Sequence, residues 1–344
     1  MPGVATTAAK RTAGRRVINA GIIGFGKMGR IRAETIANYA GARLAAVADP
    51  EAADLPAKVR RYPTADALIA DPGVDAVFVC TPNHLNKPLT IAALRAGKHV
   101  FCEKPPAFTA KDVEEIIHAE RASGRVLMYG FNHRHHDSVK KAKALIDTGD
   151  YGRLLWMRGR YGKSVDDRFY SDWRAKRELA GGGILIDQGI HMIDLFLMMA
   201  DDFDDVKATV SNLYWKLDVE DNVFAILRNR QTGVVASLHS TMTQWRHLFS
   251  LEIFLEKGYI VINGLLTSSG TYGEEAMFVA KNRTAAPAAT WSDEEHIQFD
   301  VNNSWRYEAE QFFGAIASGG PVAVGCSRDA LKLMRVIDRI YEES

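Results

Sequence analysis

No six residues constrain this chain more than GFGKMG, Gly24-Phe25-Gly26-Lys27-Met28-Gly29. They follow VINAGIIGF (17–25), an apolar run rich in β-branched residues that reads as a buried strand. They open into GRIRAETIANYA, where apolar residues recur at helical spacing. A strand, a glycine turn and a helix in that order suit a dinucleotide pyrophosphate. The first glycine permits the tight turn, the second lets the backbone approach the phosphates, and the third lets helix and strand pack closely. The helix start adds unpaired N–H groups and a positive dipole end. Asp49 closes the next strand-like run, RLAAVADP (43–50), at the spacing from the glycines that a ribose-binding acid requires. Its carboxylate would accept from ribose hydroxyls and repel a 2′-phosphate, and Pro50 and Glu51 bring no arginine to reverse that. The motif predicts NAD as cofactor, in preference to NADP.

Strands and helices continue to alternate. VDAVFVCTP (74–82), HVFCEKPP (99–106) and RVLMYGFN (125–132) read as strands. KPLTIAALRAGK (87–98) reads as a helix stopped by Gly97, and TAKDVEEIIHAERASG (109–124) as one capped by Thr109 and ended by Gly124. The pattern predicts a parallel sheet covered on both faces. From about Val206 the period becomes two, in DVKATVSNLYW, NVFAILRN, GVVASLHSTMT and SLEIFLEKGYIVING, with a hairpin turn expected at Lys257-Gly258. Two helical segments, WRYEAEQFFGAIASG and SRDALKLMRVIDRIYEE, end the chain. The predicted fold class is α/β: an N-terminal Rossmann doubly wound parallel sheet, then a C-terminal α+β domain with a large open, mostly antiparallel sheet. The expected division is a flexible arm at 1–15, an NAD-binding Rossmann domain at 16–134, and a substrate-binding and oligomerisation domain at 135–344. The C-terminal helices are expected to pack back toward the first domain.

Composition narrows the function classes. With 344 residues, 47% hydrophobic and 25% charged, the chain can bury a substantial core. A net charge of +1 offers no electrostatic footprint for nucleic acid or an anionic membrane. No uninterrupted apolar run reaches the length of a bilayer span, and the first residues lack the apolar centre of a secretory signal. Cys80, Cys102 and Cys326 are sparse and lack paired spacing, so neither disulfides nor structural zinc is expected, and a reducing cytoplasm fits.

Two loops then stand out. Thr81-Pro82-Asn83 and Glu103-Lys104-Pro105 both lie at the carboxyl ends of predicted strands, the edge where open α/β sheets bind ligands. A cis bond before Pro105 is expected. Further on, GGGILIDQGIH (181–191) places Asp187 and His191 four residues apart behind three glycines. On a helix both project from one face, a geometry suited to proton transfer. The glycines are read as letting the chain pass close to a ligand. No third ligand of suitable spacing accompanies the pair, so no metal is expected.

GFGKMG (24–29), AVADP (46–50), VFVCTPN (77–83), AGKHVFCEKP (96–105) and GGGILIDQGIHMID (181–194) together resemble the glucose–fructose oxidoreductase and inositol dehydrogenase family, Gfo/Idh/MocA. The resemblance runs from about residue 17 to 340. It implies hydride transfer between nicotinamide and a sugar, cyclitol or nucleotide-sugar, with catalytic roles on Lys104, Asp187 and His191. His191 would take the hydroxyl proton, Lys104 would bond the same oxygen, and Asp187 would hold the hydroxyl or the imidazole. Gly24, Phe25, Gly26, Lys27, Met28, Gly29, Asp49, Thr81, Pro82, Asn83, Glu103 and Lys104 would line the cofactor. Asn132, Arg134, Tyr161, Trp173 and Arg174 are the candidates for holding the substrate, and Lys163 is placed to face the same cleft. Two features depart from the family pattern: Asn86 stands where members often carry a histidine, and Asn132-His133-Arg134-His135-His136 is unusually rich in histidine. Two other outcomes stay open on the same scaffold, a glycosidase driven by transient oxidation and a non-catalytic nucleotide sensor. The open sheet should find a partner, making the protein a homodimer or homotetramer.

Overall fold

The computed structural model describes residues 17–52, 54–282 and 289–344, so the arm expected at 1–15 lies outside the described residues. Strands β1 (Ile18–Ile23), β2 (Ala42–Ala48), β3 (Arg60–Tyr62), β4 (Ala76–Val79), β5 (His99–Cys102) and β6 (Leu127–Tyr129) form one parallel sheet, in the order β3-β2-β1-β4-β5-β6. Helices α1 (Lys27–Ala37), α2 (Ala65–Ala70), α3 (Asn86–Arg95) and α4 (Ala110–Ser123) link them. Thr109 closes a capping box with Asp112, and Gly124 ends α4 at φ 60°, as the sequence leads one to expect. Apart from the exposed edge strand β3, both faces of the sheet are largely buried, which is why its strands read as continuous apolar runs rather than alternating ones.

A turn at Asn132–His135 and helix α5 (Asp137–Asp147) lead into β7 (Leu154–Ser164). Three short turns, α6 (Arg177–Ala180) among them, precede a π-helical segment, Leu185–Gly189, that runs directly into α7 (Ile190–Ala200). Then come β8 (Asp205–Ser211), β9 (Asn222–Arg228), β10 (Val235–Thr241), β11 (Thr243–Leu255), β12 (Gly258–Asn263), β13 (Glu275–Lys281) and β14 (Glu295–Phe299). With β7 they make a second sheet, ordered β14-β13-β12-β11-β7-β10-β9-β8, antiparallel except where β7 meets β10. The β11–β12 turn is Glu256-Lys257, because Leu255 pairs with Gly258, one residue earlier than expected.

Alternation in β7 sets the sheet's two sides. Met157, Gly159 and Tyr161 face inward and are buried, whereas Trp156, Arg158 and Arg160 face out. Gly159 is needed because α7 presses there: a Cβ would lie 2.4 Å from the Met192 sulfur. The helical stretch Arg177–Ala200 is long and apolar enough by composition to cross a membrane, but 72% of its most apolar window is buried inside the protein. The chain ends in α8 (Ser304–Ser318) and α9 (Ser327–Glu342). Phe312 and Phe313 of α8 pack on Phe78 and Phe101 of the parallel sheet, while α9 lies against α4, α7 and β8.

Candidate active site

The glycine loop has the shape a pyrophosphate needs. Gly24 sits at φ 86°, and a Cβ there would lie 2.5 Å from the Cys80 carbonyl oxygen. A Cβ on Gly29 would lie 2.1 Å from the Gly24 carbonyl, so helix and turn touch backbone to backbone. Gly26, in contrast, faces open space, with nothing within 4 Å of an added Cβ. It caps α1 without a side-chain hydrogen bond, so the N-cap residue leaves the first-turn N–H groups to another acceptor. Asp49 accepts from the Phe25 and Glu51 amides at 2.6 and 2.7 Å, which fixes its carboxylate beside the loop. These residues fit a dinucleotide, with Lys27 and Met28 on the first turn of α1.

Among the other residues expected at the cofactor edge, Thr81 donates to Asn86 at 3.3 Å, Pro82 precedes the short turn Asn83–Leu85, and Asn83 donates to the Ala180 carbonyl at 2.8 Å, tying that edge to the second half of the chain. Glu103 must be reassigned. Its carboxylate takes the Arg32 guanidinium at 2.7 Å in a buried pair, and Arg32 also binds Glu308 of α8, so the Glu103 side chain is an internal tie and only its backbone is left to face a cofactor. Asn86, fully buried, donates to the Glu103 and Pro105 carbonyls and so holds the loop that carries Lys104. The Lys104–Pro105 bond is cis.

Lys104 reaches across to the second half of the chain. Its Nζ donates to the Asp187 carbonyl at 2.6 Å and to Asp187 Oδ1 at 3.3 Å. Lys163, at the end of β7, donates to Asp187 Oδ2 at 2.9 Å, and Arg174 Nε stands 3.9 Å from Oδ1. Burial pushes the Asp187 carboxyl up, but Lys163, Lys104 and Arg174 outweigh it and hold the group well below the usual carboxylate range. Burial lowers the Lys104 ammonium, more than Asp187 raises it. His191 is 6% exposed, and burial followed by Lys104 holds its imidazole well below the usual value despite Asp187. A fixed carboxylate, an amine that gives up its proton more readily than usual and a neutral imidazole form a set that can move a proton at an alcohol oxygen.

Asp187 and His191 do not share an ordinary α-turn. Asp187 lies in the π-helical segment and His191 in α7, and among the described residues no hydrogen bond joins them. Instead the His191 ring stacks on His133, centroids 3.8 Å apart and planes at 17°. His133 is the site residue sequence reasoning left unassigned; the histidine-rich run was its only signal.

The glycines at 181–183 serve packing rather than ligand approach. Added Cβ atoms would meet Phe108 at 2.5 Å, the Tyr341 hydroxyl at 2.0 Å and the Glu220 carbonyl at 2.1 Å. Glu220 also accepts from the Gly183 and Leu185 amides, which sets the start of the π-helical segment. Two substrate candidates are corrected as well. Arg134, 6% exposed, is bound bidentately by Asp194 and again by Asp329. Tyr161, 2% exposed, spends its hydroxyl on His133. Asn132 accepts from His133 at 3.0 Å, and the half-buried Trp173 carries the Arg174 guanidinium 4.3 Å from its ring centre. Among the described residues no cluster of histidine, cysteine and carboxylate groups could hold a metal.

Comparison with known proteins bears on this arrangement. Residues 18–131 match the oxidoreductase family with an NAD-binding Rossmann fold, and residues 139–261 the GFO/IDH/MocA C-terminal domain. The chain is 32% identical to a 1,5-anhydro-D-fructose reductase of Ensifer adhaerens over 271 residues, which are 76% of this chain and 75% of that one. This chain belongs to the Gfo/Idh/MocA family. Another member, a myo-inositol 2-dehydrogenase of Thermotoga maritima, is 29% identical over 70% of this chain and 73% of its own. Among solved structures, a levoglucosan dehydrogenase in complex with NADH and levoglucosan superimposes with a TM-score of 0.83 at 26% identity, over 95% of this chain and 97% of that one. As a family member the chain is an oxidoreductase with an NAD-binding Rossmann fold, and its mixed architecture matches these structures.

Proposed function

We propose that the cleft oxidises one secondary alcohol of a sugar or cyclitol, or reduces the matching ketone, with Lys104, Asp187 and His191 handling the hydroxyl. The observation that carries this reading is the meeting of the Lys104 ammonium, from the nucleotide half, with Asp187 from the other half at 2.6 and 3.3 Å. Bound NAD supplies the hydride acceptor. The chain's part is the proton and the position. His191, neutral at physiological pH, accepts the hydroxyl proton as the carbonyl forms, and Lys104 stabilises the developing alkoxide by a hydrogen bond. Asp187, kept ionised, holds Lys104 and Lys163 in place. Trp173 and Arg174 offer a flat apolar surface and a donor fork for a hydroxylated ring. Asp49 favours NAD over NADP by charge.

The division of labour we infer is cofactor binding at 16–134 and substrate binding at 135–344, with unpaired Cys80, Cys102 and Cys326 in keeping with a reducing cytoplasm. The outer face of the second sheet carries exposed Trp156, Phe224 and Ile226 beside Arg158 and Arg160. Such a face supports a homodimer or homotetramer; a monomeric mass by light scattering would count against it. The relatives' names, dehydrogenases and reductases, favour neither the glycosidase nor the sensor reading. The deciding experiment is a panel of sugars and cyclitols with NAD. Accumulating NADH with ketone product supports the dehydrogenase; turnover without net NADH would assign a hydrolase.

A further inference from the structure

His133 lies in the turn after β6, on the nucleotide side, yet its ring lies flat against His191 of α7 at 3.8 Å between centroids. Both of its nitrogens are engaged. Nδ1 meets Asn132 Oδ1 at 3.0 Å, and since an amide oxygen only accepts, Nδ1 carries the proton. Nε2 meets the Tyr161 hydroxyl at 2.9 Å and, in the neutral ring, accepts from it. This pair of partners fits one neutral tautomer. His191 is held differently: its buried Nδ1 has no hydrogen-bond partner among the described residues. Catalytic histidines are ordinarily oriented by a bond at the far ring nitrogen. Here the stack is the contact that fixes the plane of the ring.

We propose that His133 is a positioning residue that clamps the His191 ring face to face against a ring locked neutral, so that His191 meets the substrate hydroxyl as a proton acceptor. The inference rests on the reading of His191 as the group that takes the hydroxyl proton. The titratable groups around His191 come from four elements: Lys104 after β5, His133 and His136 from the turn after β6, Tyr161 from β7 with its ring 6.3 Å away, and Asp187 from the π-helical segment. Only Asp187 favours the imidazolium, and its carboxylate is already shared between Lys104 and Lys163. Two imidazolium rings stacked at this distance would repel, so the pair carries at most one positive charge. Burial pushes both rings well below the usual histidine range.

The test uses full-length protein labelled at the histidine rings. The His191 ring signal, assigned by its loss in His191→Gln, is followed by NMR against pH without substrate. In wild type it stays neutral well below the ordinary histidine value of about 6.5. In His133→Ala, which frees the ring and admits water, it titrates about one pH unit higher or more. His133→Phe keeps a flat neutral ring in place and restores the wild-type titration, which a merely structural loss would not do. The acid limb of kcat/KM moves up in His133→Ala and returns in His133→Phe. An unchanged His191 titration in His133→Ala overturns the clamp whatever the substrate is. A titration that moves while the pH–rate profile stays put leaves the clamp standing and overturns the assignment of His191 to the proton step.

Discussion

Replacing Arg134 with methionine separates an internal tie from a substrate ligand. Arg134 makes two bonds to Asp194, at 2.7 and 2.8 Å, and a 3.1 Å ion pair with Asp329. The two acids differ in what remains without it. Asp329 also accepts from the Gly325 and Cys326 amides at the start of α9. Asp194 is 0% exposed, and its carboxylate has no hydrogen bond other than those from Arg134 among the described residues. Removing the cation therefore strands a buried charge, a loss of about 3–5 kcal/mol. For a chain of this length that is a fall in Tm of about 4–7 °C. The assay is thermal melting alongside KM for the sugar and for NAD. Arg134→Met should melt lower with both KM values near wild type, and adding Asp194→Leu should recover much of the loss, because an apolar pair replaces the ionic one. An unchanged melt with a raised sugar KM would refute this reasoning and return Arg134 to the substrate site.

Gly183→Ala should destabilise by at least about 1–3 kcal/mol, since its Cβ would meet the Glu220 carbonyl at 2.1 Å and backbone on both sides has to yield; urea titration measures it, and wild-type stability would mean the π-helical segment shifts freely. Buried His133, His135 and His191 all have proton affinities lowered by burial, His135 to about 4. The unfolded chain binds those protons more readily, so stability should fall as pH drops from about 6.5 toward 4, by up to about 1.4 kcal/mol per pH unit for each ring. His135→Gln should make that slope shallower in denaturant midpoints measured across pH, and an unchanged slope would show that His135 is not a source of it.

Five strands of the parallel sheet were legible because their apolar runs are largely buried and their βα turns carry chemistry: GFGKMG, Asp49, Thr81-Pro82-Asn83 and the loop of Lys104; the edge strand β3, Arg60–Tyr62, is short and exposed and left no apolar run to read. The alternating strands of the second sheet were legible for the opposite reason, one wet face and one dry. Asp187 could be singled out because charge inside an apolar run is rare, and Lys104 and Lys163 because each ends a predicted strand. What escaped notice depends on contacts distant in sequence. Nothing near Gly181, Gly182 and Gly183 announces Phe108, Tyr341 and Glu220 as their respective packing partners. Arg134, at the domain crossing, and Tyr161, at the end of a predicted strand, looked like ligands, and only the fold brings Asp194 and His133 to them. Likewise the hairpin turn slipped by one residue, since the register is set by the β11–β12 ladder rather than by the glycine.

Catalysis in this cleft depends on Lys104 and its meeting with Asp187 in the proposed mechanism. The most direct measurement is the pre-steady-state rate of NADH formation with a sugar that the enzyme accepts, in wild type and in Lys104→Met, beside NAD affinity from tryptophan quenching. The expected rate is lower by a factor of about 10²–10⁴ with NAD affinity little changed. A wild-type rate of NADH formation in Lys104→Met would contradict it.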